Sequence, residues 1–316
     1  MDVSLKRSSM ALSIGIDYGK ENWKTCLVEN GRVLELQPFN DAASTLEYLK
    51  QTCAFYPEPI VAISLGMGTV ITSLNTLSNQ QLFELSSYHD SSRASDLNQF
   101  LIAIGSVNLN SYTLPAVRYL PSIPAHRKRS RLDMGSSGML CAITTLLYRM
   151  RKQEAIWQEM RFIYLDVDNS SRSIVVVEDG RIVNGLGENA GAYTYGAGQQ
   201  QSGQGLDARE DEAIAEQAFW EGLTQDLAGL MAIHHLEDIV VTGQRKDAVI
   251  DWLEDRYQFY HFPHHDYEQE GFESAIGAAI IAEGFYYPGL AAEIVERLQL
   301  SQASNRLHNR SQNQLI

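Results

Sequence analysis

Asp17 stands at the end of a short apolar run, Leu12-Ser13-Ile14-Gly15-Ile16, and is followed by Tyr18-Gly19-Lys20. A lone carboxylate at a strand end, beside a glycine-bearing turn, can hold a cation or its water shell. The N–H groups of such a turn, here Gly19 and Lys20, can meet phosphate oxygens. An ordinary hairpin with Asp17 as a turn former is the competing reading of this stretch. A second acid, Asp133, lies in Leu132-Asp133-Met134-Gly135-Ser136-Ser137-Gly138, ahead of an apolar helix predicted over 139–151. Ser136 or Ser137 is the expected N-cap. Helix N-termini favour anions, so this turn suits phosphate or a substrate carboxylate. Asp133 could then accept a proton from an acceptor hydroxyl or bind magnesium. A helix-start acid that only favours the dipole is the alternative.

The run His126-Arg127-Lys128-Arg129-Ser130-Arg131 is densely basic in an acidic chain. Arg127 and Lys128 are its candidates for drawing an anion to a cleft, against a solvated loop or one paired with acids of the other half. Gly185 and Gly187 begin a glycine-rich span that reaches Gly205, and such backbone can approach phosphate. The string from Gln199 to Gly205 reads as a loop. Ile239-Val240-Val241-Thr242-Gly243 is a strand running into a glycine turn. Glu273 to Ala282 reads as a small-residue helix in which Gly277 permits close approach by a backbone or a ligand. His261, His264, His265 and Asp266 lack ligand spacing and read as a surface turn.

The elements that would position these groups repeat. Asp17 is followed by a strand at 23–28, the turn Glu29-Asn30-Gly31-Arg32 and another strand. The apolar run into Asp166 is followed by Ser173 to Val177, the turn Glu178-Asp179-Gly180-Arg181 and another strand. Both turns carry a hairpin signal. The same unit heads each half of the chain, which implies a duplicated architecture. A length of 316 residues also favours two domains. They are expected over 1–155 and 156–300, with a frayed tail over 301–316. A formal charge of −14 argues against nonspecific binding to nucleic acid or to an anionic membrane. The three cysteines, Cys26, Cys53 and Cys141, sit in apolar contexts and form no CxxC pair. They fit a reducing compartment. The absence of a long apolar run and the polar first ten residues make the cytoplasm the expected location.

The order of parts resembles the actin, sugar kinase and acetate kinase superfamily, which implies two ribonuclease H-like α/β domains with nucleotide in the cleft between them. In that resemblance Asp17 is the magnesium-side acid, and its hairpin is the first phosphate motif. The hairpin after Asp166 is the second. Thr242-Gly243 lies on the adenosine side, and Ser274 to Ala282 is the closing helix. Pro124-Ala125-His126-Arg127-Lys128 with Asp133-Met134-Gly135-Ser136 resembles more closely a family labelled predicted butyrate kinase. The resemblance implies ATP and Mg²⁺ as cofactors and phosphorylation of a small metabolite, a short carboxylate among the candidates, with a homodimer left open. Two departures favour a nucleotide sensor or assembly protein on the same fold. Asp168 stands where the superfamily places a glycine, and Ser137-Gly138-Met139 replaces an acid and a lysine.

Overall fold

The computed structural model describes residues 12–19, 22–56, 58–66, 70–86, 91–106, 109–169, 171–192, 208–264 and 270–303. Lys20, Met67 to Thr69, Gln199 to Gly205, His265, Asp266 and the tail beyond Ala303 lie outside them.

The first sheet contains β1 (Leu12–Tyr18), β2 (Trp23–Glu29), β3 (Arg32–Phe39), β4 (Ile60–Ser64), β5 (Thr72–Ser73) and β6 (Asn110–Thr113), in the order β3-β2-β1-β4-β6-β5. The second contains β7 (Phe162–Val167), β8 (Arg172–Glu178), β9 (Arg181–Leu186), β10 (Asp238–Thr242) and β11 (Gln258–His261), in the order β11-β10-β7-β8-β9. In each, the strand that ends in the acid pairs antiparallel with its hairpin partner and parallel with a later strand. The turn residues Asn30, Gly31, Asp179 and Gly180 have φ of 49°, 71°, 51° and 69°. Two successive positive φ values match the right-handed twist of the flanking strands. Both hairpins carry a register shift at the same place, between Leu27 and Val28 and between Val176 and Val177. The repeat read in the sequence is therefore a repeat in three dimensions.

Helices α1 (Ala42–Phe55), α2 (Asn79–Ser86) and α3 (Ser91–Ser106) belong to the first half, and Leu49, Leu97, Phe100 and Leu101 cover the outer face of its sheet. Asp41 caps α1 by accepting Ser44 N–H at 2.7 Å. Helices α6 (Ala208–His234) and α7 (Lys246–Leu253) cover the outer face of the second sheet through Phe219, Leu223, Leu227 and Val249. Between the sheets lie α5 (Ser137–Lys152), α8 (Glu273–Tyr286) and α9 (Leu290–Arg297). They join Cys26, Val28 and Ala62 of one sheet to Phe162, Tyr164 and Val175 of the other in one core. The basic run, whose bland reading was a loop, forms the short helix α4 (Ala125–Ser130).

Period-two alternation then dictates where the acids point. Leu12, Ile14, Ile16 and Tyr18 face the outer core, so Ser13, Gly15 and Asp17 face the central helices. Ile163, Leu165 and Val167 face out, and Tyr164 and Asp166 share the inner phase. Burying Ile14 and Ile16 completely contributes roughly 2 kcal/mol each and holds that phase. Gly15 is needed because a Cβ there would fall 1.9 Å from Ala275 O of α8. Gly277 is needed where α8 crosses α5, since its Cβ would fall 1.7 Å from Cys141 O. Among the described residues no single helix is long and apolar enough to cross a membrane, and the apolar pair α8 and α9 is bent by 97°.

Candidate active site

Register places Asp17 opposite Lys24 on β2 and Ser64 on β4. Ser64 hydrogen-bonds the Asp17 carboxylate. Ser64 Oγ lies 3.0 Å from Ser137 Oγ, and Ser137 Oγ accepts Gly66 N–H at 2.9 Å. With that acceptor position filled, Ser137 can donate to Ser64, leaving the Ser64 proton for Asp17. The first turn of α5 also faces the acid, because a Cβ on Gly138 would lie 3.6 Å from Asp17 Oδ1 and 3.4 Å from Ser274 Oγ. Ser136 caps this turn by accepting Met139 N–H at 3.2 Å. Gly19 adjoins Asp17 from the other side, where a Cβ would lie 3.6 Å from Oδ2. Asp17 keeps one partly exposed edge, but protein atoms enclose the rest of the carboxylate. Burial raises its pKa from 3.8 to about 6, against the Lys24 charge and the Ser64 hydrogen bond, with Glu273 adding to the rise. Burial likewise pushes the Cys141 thiol up, with the Asp17 charge adding to the rise.

Lys24 Nζ donates to Gly271 O at 2.7 Å and lies 5.8 Å from the Phe272 ring centroid. Next to them Glu273 accepts Gly271 N–H at 2.9 Å and pairs with His264 Nε2. Burial alone would raise the Glu273 pKa, but the hydrogen bonds from His264 and Gly271 hold it below its ordinary value. His264 is thus tied to the site, contrary to the surface turn expected for it, while His261 ends β11.

Asp166 repeats the geometry of Asp17. Its register partner on β10 is Thr242, whose Oγ1 lies 3.3 Å from Asp166 Oδ1 and 3.2 Å from the Tyr164 hydroxyl. Burial raises the Tyr164 pKa well above its usual range, and the charges of Asp166, Glu273 and Asp17 add to the rise. Thr242 thus bridges Tyr164 and Asp166, and Asp17 and Glu273 add negative charge to the same surroundings. Gly243 follows at φ 94°, and its Cβ would meet Val167 O at 2.3 Å.

Other expected site residues have different tasks. Asp133 is 7% exposed. Its Oδ1 accepts Gly135 N–H at 3.2 Å and its Oδ2 accepts Asn189 N–H at 3.0 Å. Oδ1 holds the 133–135 turn, and Oδ2 ties that turn to Asn189 of the second half. Gly187 makes room for that carboxylate, since its Cβ would fall 1.6 Å from Asp133 Oδ1. Gly185 makes room for Met134 O, 2.0 Å from where its Cβ would be. These two glycines, like Gly277, sit where close packing leaves no room for a side chain. Arg127 donates to Val183 O at 2.8 Å and Lys128 to Leu120 O at 2.6 Å. Ser122 donates to Ile182 O at 2.6 Å, and Arg131 to Asn184 Oδ1 at 3.0 Å. Strand β9 is a sheet edge, and its unpaired carbonyls need donors. Covering that edge is one task of Arg127, and Lys128 ties its helix to Leu120. Burial lowers the pKa of both.

Lys24, Ser64 and Tyr164 did not stand out in the sequence, Ser137 was expected only as a cap, and Glu273 only as the first residue of a small-residue helix. The strand pairing was the only signal for Lys24. Among the described residues no group of three or more His, Cys, Asp or Glu side chains could hold a metal. A cation at Asp17 would therefore draw its other ligands from water and phosphate, as Mg²⁺ ordinarily does. Two open surface depressions lie elsewhere, one beside Tyr48 and one beside Trp157. Neither contains a residue of this cluster.

A family model described as "Protein of unknown function (DUF1464)" matches residues 15–199. No curated protein matches the chain. Among solved structures, acetate kinase from Entamoeba histolytica is similar at a TM-score of 0.51 and 10% identity, over 77% of this chain and 86% of that one. A propionate kinase from Francisella tularensis subsp. tularensis is similar at a TM-score of 0.51 and 11% identity, over 85% of this chain and 98% of that one. The fold is therefore the two-sheet α/β type of that acetate kinase and that propionate kinase. The label of predicted butyrate kinase is not among these matches.

Proposed function

The chain belongs to the DUF1464 family, and from its site we propose that it is an ATP-dependent phosphotransferase acting on a small metabolite, with a short carboxylate as the acceptor class. The observation that carries this reading is the repeated placement of an acid near the end of a central strand beside a hydroxyl of the next strand, Asp17 by Ser64 and Asp166 by Thr242, with Lys24 opposite Asp17. The fold shared with an acetate kinase and a propionate kinase supports it.

Phosphoryl transfer asks mainly for positioning and charge neutralisation. Asp17 would hold magnesium, and it is ionised for that purpose above about pH 6. Bound magnesium would neutralise phosphate charge during transfer. Ser64 and Ser137 hold the Asp17 carboxylate in one orientation. Lys24 and the first turn of α5 supply positive potential beside it. Tyr164 keeps its proton at neutral pH. Thr242 holds Asp166 as Ser64 holds Asp17. A carboxylate acceptor is already anionic and needs no general base, so the engagement of Asp133 elsewhere does not obstruct this chemistry.

The competing reading is a nucleotide sensor or assembly protein that does not transfer phosphate. Asp168 beside Asp166, and Asp133 committed to a structural turn, favour it. The experiment is ATP consumption against a panel of short carboxylates, sugars and polyols, with Asp17→Asn alongside. Acceptor-dependent turnover that Asp17→Asn abolishes supports the phosphotransferase. Tight Mg-ATP binding without turnover across the panel supports the sensor, and no binding at millimolar nucleotide overturns both.

A further inference from the structure

Glu273 is 9% exposed and opens a helix that is otherwise almost wholly apolar. A buried carboxylate is costly unless it is well hydrogen-bonded. Its bonds here come from the Gly271 N–H, the His264 ring and its own backbone N–H. The Thr145 hydroxyl fixes its backbone by donating to Glu273 O at 2.7 Å. What this arrangement holds is Gly271, whose N–H is bound by Glu273 and whose carbonyl is bound by Lys24 at 2.7 Å. Gly271 has φ 88°, and a Cβ there would lie 2.8 Å from Lys24 Nζ. Only glycine brings this carbonyl so close to the ammonium without strain.

Lys24 is also the register partner of Asp17, with the two Cα atoms directly opposed on β2 and β1. Opposite charges so placed would ordinarily close into an ion pair. Among the described residues none is formed between them, and the Lys24 hydrogen bond goes to Gly271 instead. An ammonium has three donors, so that bond leaves two for a ligand.

We propose that Glu273 is a positioning residue: by clamping Gly271 it withholds Lys24 from Asp17, keeping the carboxylate available to a cation and the ammonium available to phosphate. The catalytic consequence rests on the phosphotransferase reading, but the clamp itself is testable without nucleotide. A helix-start acid that served only the dipole would have no effect on the spacing of Lys24 and Asp17.

The test is zero-length carbodiimide cross-linking of the unliganded full chain, with the Asp17–Lys24 isopeptide read by mass spectrometry. The wild type should give little of it, because Gly271 holds the amine. Glu273→Ala should give several-fold more, as Lys24 collapses onto Asp17. Glu273→Gln keeps an acceptor for Gly271 N–H and should stay with the wild type, which also guards against misfolding of the alanine variant. Equal yields in the wild type and Glu273→Ala, with Glu273→Gln folded, overturn the proposal. In turnover, Glu273→Ala should raise the KM for Mg-ATP, and Glu273→Gln should restore it. A wild type with no turnover but the expected cross-linking pattern counts against the phosphotransferase and leaves the clamp standing.

Discussion

Thr242 Oγ1 lies 3.3 Å from Asp166 Oδ1, at the register position that Ser64 holds beside Asp17 in the other half. Each acid ends the central strand of its sheet, and each is met by a hydroxyl from the neighbouring parallel strand. The duplication therefore reaches the side chains and sets two acids in matching surroundings.

Ser64→Ala should raise the Asp17 pKa above about 6, because the Ser64 hydrogen bond pulls it down. Carboxyl NMR titration checks this, and an unchanged value would mean that the bond is absent in solution. The raised pKa also sets a sign for stability. Folded Asp17 binds its proton more tightly than the unfolded chain does, so its favourable contribution is present below about pH 4. It is lost as pH rises to about 6. Asp17→Asn should remove that fall and stabilise the chain at pH 7 by on the order of 2 kcal/mol, read from urea midpoints across the range.

Gly15→Ala and Gly277→Ala should each destabilise by about 3 kcal/mol or more, since the added methyl meets backbone that cannot move aside. Denaturant midpoints should fall with little change in slope. Gly229→Ala, where nothing lies within 4 Å, is the control and should be neutral or slightly stabilising.

Asp133→Ala should cost about 2–4 kcal/mol by leaving buried N–H groups unpaired, and should speed proteolysis around 187–192. Mg-ATP affinity should change little. A loss of turnover with unchanged stability would return Asp133 to the catalytic role that its sequence context suggested.

Arg127→Gln should leave nucleotide affinity within about twofold, since its guanidinium is spent on Val183 O. Calorimetry at two salt concentrations checks this. A large, salt-sensitive loss of affinity would show that the α4 cations reach the ligand.

What the sequence determined by itself was local and periodic. The apolar runs that lead into Asp17 and Asp166 mark two equivalent strands, each followed by a hairpin. Asn30-Gly31 and Asp179-Gly180 specify turns because those residues tolerate positive φ. Ser136 can cap α5 because its hydroxyl reaches Met139 N–H three residues on. The tertiary structure decided whatever depends on which backbones cross. Lys24 and Gly271 are 247 residues apart, and Asp133 and Asn189 are 56 apart. The type of an acid or a cation states its chemistry, but its partner is chosen by the helices and sheet edges that folding brings to it. The same kind of carboxylate can therefore stand beside a lysine and a serine of neighbouring strands, as at Asp17, or hold a turn, as at Asp133. Burial and the unpaired N–H groups of a neighbouring backbone decide between them.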